Sequence, residues 1–394
     1  MRTTTADAPR VLDALETLAD RFDPGVMDVP GGRARIRLGV SDGDDCDAVI
    51  SLPEVQLEPA GRRREPDALL NADAATWAAI AADLRGGMDA FRKGRLEVRK
   101  NLHLGIGYLA ATSVETAAGR LRFERVEAAN HELSVMEAGE GPPLVCLHGL
   151  GGTKVSFMTT LRSLATEGHR VIAVDLPGFG DSDKPRSGRY DAIWFSDVIR
   201  ELLDELGIER ASFAGNSMGG RIALELGFRE PERVEKLVLL APSLAWLKER
   251  PWTWLLQMPL PRLGYLQPTP RWAVEPIVRR LVPGGEQGWT AAGIDEFLRA
   301  YLTPSGRFAF DECARNIYME EPYGEEGFWT RLKKLEAEAM FVWGTEDTLV
   351  PPSFMRHVEQ AMPHSVHLEL DCGHVPQMER PVETHRAMHE FLTS

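Results

Sequence analysis

A chain of 394 residues is longer than one hydrophobic core usually serves, so two domains are expected. Its 43% apolar and 26% charged residues are the balance of a water-soluble globular protein, with no run near the roughly eighteen apolar residues of a membrane span. A net charge of -14 repels polyphosphate and anionic surfaces, so nucleic acid is not an expected partner.

The opening Met1-Arg2-Thr3-Thr4-Thr5-Ala6-Asp7 lacks the apolar core of a secretion signal, which predicts a cytoplasmic protein. Cys46, Cys146, Cys313 and Cys372 are scattered without a CxxC pair, as buried thiols of a reducing compartment would be, and no metal or other cofactor is implied.

In chain order, apolar residues at helical spacing over 11–21 predict a helix, alternation over 34–40 and 47–52 predicts strands, and 74–86 reads as a second amphipathic helix. Arg62-Arg63-Arg64, beside Gly61 and before Pro66, reads as a solvated turn. The pattern changes near residue 120, which divides a smaller α+β domain, 1–118, from a second domain, 119–394.

The second domain opens with alternating runs over 121–127 and 132–138, joined by the turn-forming Ala129-Asn130-His131 as in a hairpin. Continuous apolar runs follow at 144–147, 171–174, 211–214, 237–240 and 340–343, with amphipathic stretches such as 193–206 and 220–229 among them. Short apolar runs alternating with helices predict a mostly parallel sheet buried on both faces. One segment, about 243–335, interrupts the alternation and is too long for a structureless loop, so a helical cap insertion is expected. It carries Trp246, Trp252, Trp254, Trp272 and Trp289, which suit a cover over an apolar pocket or the insertion's own small core. Of these, Trp246, Trp252 and Trp254 are the candidate substrate contacts.

The chemistry lies at strand ends. Gly215-Asn216-Ser217-Met218-Gly219 stands directly after a buried strand and before a helix, the context of a nucleophile elbow. A serine hydroxyl needs a base, and the base needs a carboxylate to fix its tautomer. Asp347, leaving the strand at 340–343, and His374, in Asp371-Cys372-Gly373-His374 after the strand at 366–370, are the candidates in the expected order. Glu346 competes as the acid; His364, His367, His385 and His389 read as surface or packing. His148-Gly149-Leu150-Gly151-Gly152 turns tightly after the strand at 144–147, so the amides of Leu150 and Met218 are the candidate oxyanion hole and His148 is read as bonding the loop.

With the turn Asp175-Leu176-Pro177-Gly178-Phe179-Gly180-Asp181-Ser182, these motifs make residues from about 120 to 394 resemble the α/β-hydrolase superfamily. That resemblance implies an α/β-hydrolase fold with a mostly parallel sheet and a helical cap, a Ser217, Asp347, His374 triad, and esterase, lipase or thioesterase chemistry. Serine in place of aspartate at the elbow argues against the epoxide hydrolases and haloalkane dehalogenases of that superfamily. Asn216-Ser217-Met218-Gly219-Gly220 is also similar to the elbow of hydrolases that split carbon–carbon bonds of ring-cleavage diketones, which keeps that reaction as an alternative.

In the first domain, Phe91-Arg92-Lys93-Gly94-Arg95-Leu96-Glu97-Val98, together with 47–52 and Leu102-His103-Leu104-Gly105-Ile106-Gly107, resembles the sterol carrier protein 2 domain over roughly 8–115. That family implies a five-stranded sheet with helices around a lipid tunnel. Here only 109–112 remain for the closing helix, so the domain either holds an apolar ligand or keeps the fold for interaction alone. The expectation is a serine hydrolase acting on an apolar acyl ester or thioester, a lipid among the candidates, against a non-catalytic lipid-binding protein; oligomeric state is left open.

Overall fold

The computed structural model describes residues 8–61, 64–82, 90–91, 93–114, 120–245, 270–281, 287–318 and 320–394. The chain forms two compact units, one of residues 1–124 with 285–299 and the other of 125–284 with 300–394.

The first unit holds a five-stranded sheet of order β3-β2-β1-β4-β5, made of β1 (Arg33–Val40), β2 (Cys46–Ser51), β3 (Glu54–Pro59), β4 (Ala68–Ala72) and β5 (Glu97–Arg99). β1 pairs antiparallel with β2 and parallel with β4. Alternation decides its faces: Ala34, Ile36, Leu38 and Val40 are buried, whereas Arg35 and Arg37 point to the other side. There both arginines grip Asp47 of β2, which is fully buried, at 3.0 and 2.8 Å.

The helices Ala8–Asp20 and Ala74–Ala82 supply Leu15, Leu18, Trp77 and Ile80 to the core, and Trp77 Nε1 donates to the Gly39 carbonyl at 2.9 Å. Residues 102–111 form a single helix, Leu102–Ala111, buried along its whole length. An apolar stretch without a polar face can fold as a helix only when surrounded. The Asn101 side chain caps it, accepting from the Leu104 amide at 3.0 Å.

A helix from the insertion, Gln287–Tyr301, completes this unit. Its Asp295 accepts from Arg99 Nε at 2.5 Å, and Glu296 accepts from the Leu102 amide at 3.1 Å. That amide opens the buried helix and has no partner within it.

The second unit is built on an eight-stranded sheet of order β13-β12-β11-β10-β8-β9-β7-β6. Its strands are β6 (Arg122–Ala128), β7 (His131–Ala138), β8 (Pro143–Leu147), β9 (Arg170–Val174), β10 (Ala211–Asn216), β11 (Val234–Leu240), β12 (Glu338–Gly344) and β13 (Val366–Leu370). From β13 to β9 all pairings are parallel, and β7 returns antiparallel to β9. Ala129 and Asn130 join β6 to β7 at φ of 53° and 60°, the positive values of a tight hairpin turn.

Because β8 has β9 on one side and β10 on the other, the chain reverses its winding there. The loops leaving β8 and β10 thus part at a topological switch point, where open parallel sheets place their ligands. The helices Ala192–Glu205 and Met218–Arg229 cover the sheet with Phe195, Ile199, Leu202, Ile222 and Leu226. The described part of the 243–335 insertion contains four helices, Arg271–Leu281, Gln287–Tyr301, Pro304–Tyr318 and Phe328–Leu332. Among the described residues no helix is long and apolar enough to cross a membrane.

Candidate active site

Strand β10 ends at Asn216 and the helix Met218–Arg229 starts two residues later, which leaves Ser217 to make the whole turn at φ 51° and ψ −114°. Such a backbone is strained for a residue with a side chain and persists only where its surroundings hold it. The Ser217 amide donates to the Leu240 carbonyl, and the Ser217 carbonyl accepts from the Ser243 amide, both at 3.0 Å. The approach also requires glycine: a Cβ on Gly219 would lie 1.9 Å from the Leu147 carbonyl oxygen, and one on Gly215 would lie 2.5 Å from Gly219.

Asp347 follows β12 in a turn that closes on its own side chain. One carboxylate oxygen accepts from the amides of Leu349 and Val350 at 2.8 and 3.0 Å, and the other accepts from His374 Nδ1 at 2.7 Å. Burial alone would raise the pKa of Asp347, but the hydrogen bond and charge of His374, with the two amides, outweigh it and hold the acid below its ordinary range. With Nδ1–H committed to Asp347, Nε2 of His374 keeps a lone pair for a proton. Glu346, the competing acid, is exposed.

The backbone of His374 is held on three sides. Its carbonyl accepts from Asn216 Nδ2 at 3.0 Å, and the two carboxylate oxygens of Glu379 accept from the amides of Gly373 and Val375 at 2.9 and 3.0 Å. Asn216 donates its other hydrogen to the Leu240 carbonyl at 3.0 Å, so this residue ties the elbow to the histidine loop. Sequence reasoning misses Glu379, for which the one signal is an acid five residues past the histidine. Neighbouring Cys372 is buried, which pushes its thiol up to about 12 and leaves it a poor nucleophile at neutral pH.

The loop after β8 lies against the elbow: a Cβ on Gly149 would sit 3.2 Å from that of Ser217. Leu150 is the next residue of this loop, and Met218 opens the helix beyond the serine. His148 bridges the loop to the chain after β9, donating from Nδ1 to the Gly149 carbonyl at 2.8 Å and accepting at Nε2 from the Leu176 amide at 3.0 Å. Burial depresses its pKa, in keeping with a neutral ring in these two roles. Beneath the loop, Lys154 and Asp175 form a fully buried pair at 2.6 Å, and Asp175 also accepts from the amides of Lys154 and Asp181. The partner of Asp175 is invisible in sequence, where a lysine is expected at the surface.

Two further residues flank the nucleophile. Ser243 Oγ is 3.3 Å from Ser217 Oγ, and Tyr318, at the end of the helix Pro304–Tyr318, lies beside both serines. Trp246, Trp252 and Trp254 lie outside the described residues, as does the side chain of Trp289; Trp272 is 78% exposed.

A buried serine on a strained elbow, with an Asp–His pair tethered to it, is the arrangement of one large family, and the model of the alpha/beta hydrolase fold matches residues 142–381. The chain belongs to that family. This alpha/beta hydrolase is 30% identical over 275 residues to a 2-hydroxymuconate semialdehyde hydrolase of Pseudomonas putida, a match covering 67% of this chain and 92% of the relative. It is 27% identical over 304 residues to a 2-hydroxy-6-oxononadienedioate/2-hydroxy-6-oxononatrienedioate hydrolase of Paraburkholderia phymatum, covering 71% and 98%. Among solved structures, an N-acyl homoserine lactone degrading enzyme superposes with a TM-score of 0.55 at 26% identity, covering 68% of this chain and all of the other. The alpha/beta hydrolase is therefore a hydrolytic enzyme.

Proposed function

We propose that this enzyme is a serine hydrolase that cleaves an ester or thioester of an apolar acyl group. The observation that carries the reading is the 2.7 Å bond from His374 to Asp347 in a loop that Asn216 ties to the elbow of Ser217. In acylation, Ser217 Oγ bonds to the substrate carbonyl carbon while His374 Nε2 takes its proton, and the carbonyl oxygen receives the charge facing the amides of Leu150 and Met218. The bond to the leaving oxygen or sulfur then breaks as His374 returns the proton to it. Water, activated by the same nitrogen, attacks the acyl-enzyme and restores Ser217.

A fluorophosphonate should label wild-type Ser217 covalently, and an activated ester should give a burst of one acyl group per site. Unchanged turnover in Ser217→Ala would sink the reading.

Carbon–carbon cleavage of a vinylogous diketone is the second reading, favoured by the names of the curated relatives. The elbow Asn216-Ser217-Met218-Gly219-Gly220 supports it too, and within it the amide of Asn216 holds the backbone of Leu240 and His374. A panel of acyl esters, acyl thioesters and vinylogous diketones, compared by kcat/KM, decides between the two.

For residues 1–118 the proposal is a sterol carrier protein 2-like module that binds an apolar ligand in the cytoplasm, supported by the sequence pattern and a five-stranded sheet. Since residues 285–299 complete the first unit, the test uses the full chain: failure of Ser217→Ala to bind a fluorescent fatty acid would remove the lipid claim.

A further inference from the structure

The triad and the oxyanion amides leave a quartet of charges behind the nucleophile unused. Arg221 and Glu225 lie one and two turns past Ser217 on the helix Met218–Arg229, and both are buried. Arg221 grips Glu320 with two prongs, Nε to Oε2 at 2.6 Å and Nη2 to Oε1 at 2.5 Å, and also donates to Glu225 at 2.7 Å. Arg331, on the helix Phe328–Leu332, closes the quartet by donating to Glu225 at 2.6 Å and standing 3.7 Å from Glu320. Aromatic rings wall it in: the Arg221 guanidinium lies 5.3 Å from the centre of Phe328, and that of Arg331 lies 4.5 Å from the centre of Phe228.

The two positive and two negative charges cancel, yet burying them adds little stability that apolar side chains of the same volume would not supply. What a two-pronged arginine–carboxylate bond adds is a single geometry. Here that geometry ties the nucleophile's helix to the insertion. Glu320 stands two residues past the helix Pro304–Tyr318, whose last turn packs Ile317 and Tyr318 into the core that also takes Met218 and Leu244, the neighbours in sequence of Ser217 and Ser243. After Glu320 the chain turns back, with the Phe328 amide donating to the Glu321 carbonyl at 3.0 Å, and enters the helix that carries Arg331. Both sides of this turn are therefore anchored on one helix.

We propose that Arg221 is a positioning residue for the acyl pocket: by holding Glu320 it fixes the last turn of the helix Pro304–Tyr318 beside the nucleophile, and so sets which acyl groups the enzyme accepts. The inference rests on the serine-hydrolase reading above. Arg221 touches no reacting atom. Its amide donates to the Ser217 carbonyl at 3.2 Å, a bond that any residue except proline makes there, so the side chain can be changed while the elbow keeps its backbone. A last turn held less firmly weakens the grip on a long acyl chain and leaves bond making at Ser217 as it was.

Glu320→Gln and Arg221→Lys separate this role from a merely structural one. The first keeps the shape of a side chain that is already 18% exposed and leaves Glu225 with both arginines; the second keeps the charge and loses the two prongs. With 4-nitrophenyl octanoate, each variant should show KM raised by about tenfold at unchanged kcat, the low end of what one misplaced methylene costs in an apolar pocket. With 4-nitrophenyl acetate both constants should stay as in wild type. The double variant should be no worse than either single, since both remove one contact. Should Arg221→Lys fail to fold, Glu320→Gln alone decides. An unchanged KM for the octanoate, an equal loss on both esters, or losses that multiply in the double variant overturns the proposal. Absence of a fluorophosphonate label on wild-type Ser217 overturns the underlying serine-hydrolase reading as well, which separates the two failures.

Discussion

The two sheets differ in the charge they bury at strand ends. In the five-stranded sheet buried charge lies mid-strand, where Asp47 of β2 stands opposite Arg37 of β1 in the antiparallel register and also binds Arg35. The eight-stranded sheet also buries charge within strands, at Glu137 of β7 and Lys236 of β11, but adds a set of buried polar groups past the C-terminal ends of strands: Asp175 after β9, Asp347 after β12, and His374 and Glu379 after β13. A charge in mid-strand binds one strand to the next, whereas a charge at a strand end orients loops that converge on a substrate. The first kind should carry stability and the second rate, and variants can break that division.

The largest expected effect is at a strand end. Asp347→Asn keeps the shape but no longer selects the Nδ1–H tautomer of His374, and should lower kcat by about 10³- to 10⁴-fold. Its midpoint in urea should move much less, and a variant that unfolds before it loses rate would erase the distinction. Because the folded pKa of Asp347 is lowered, its contribution to stability is complete above the ordinary carboxylate range and is lost only as pH falls through that lower value.

His385 sharpens the comparison, since it is buried in the second unit yet away from the strand ends, on the helix Pro381–Thr393 beside Thr160 Oγ1 at 2.9 Å. Burial lowers its pKa to about 4. The unfolded imidazole, titrating near 6.5, then holds more protons than the folded one between about pH 6.5 and 4, and stability falls as pH drops through that window, by about 3 kcal/mol. Denaturation at stepped pH should show the slope, and His385→Gln should reduce it, leaving the shares of His148, His169 and His367, whose pKa values burial also lowers.

Asp47→Ala leaves Arg35 and Arg37 without their shared carboxylate. Both arginines retain some exposure and Arg35 still meets Glu58, so the cost should be about 2 kcal/mol, below that of a wholly buried break. Rate per folded molecule should not change; a fall in kcat would show that mid-strand charge also serves the reaction. Smallest is Glu379→Gln, where one oxygen still accepts but the second amide loses its partner. A fall of about tenfold in kcat with KM unchanged is expected from a histidine held less firmly.

How much of this was legible follows from the same division. Ser217 and Asp347 are readable because each sits in a short motif just past a continuous apolar run, as parallel strands make, and His374 because its Asp-Cys-Gly-His motif follows the alternating strand at 366–370 near the end of the sequence. Glu379 and Lys154 are not, since each acts by reaching backbone or a charge that only the folded chain brings near. Tyr318 escapes because it lies in an insertion whose sequence does not say which face meets the serine. The helix Leu102–Ala111 reads ambiguously because an all-apolar stretch has no periodicity to measure. Nor does the helix Gln287–Tyr301 announce in its sequence that most of it belongs with the first unit.

That last feature governs the order in which the protein can be made. Domains tend to fold as they leave the ribosome, the N-terminal one first. Arg99, however, finds Asp295 only 196 residues later, and the Leu102 amide finds Glu296 after 194. During synthesis the first unit must wait, with its central helix lacking a partner for its opening amide, until β6 to β11 have been translated. A nascent chain stopped at residue 124 should be degraded faster than one released past residue 299, so the N-terminal unit depends for its completion on translation reaching far into the hydrolase.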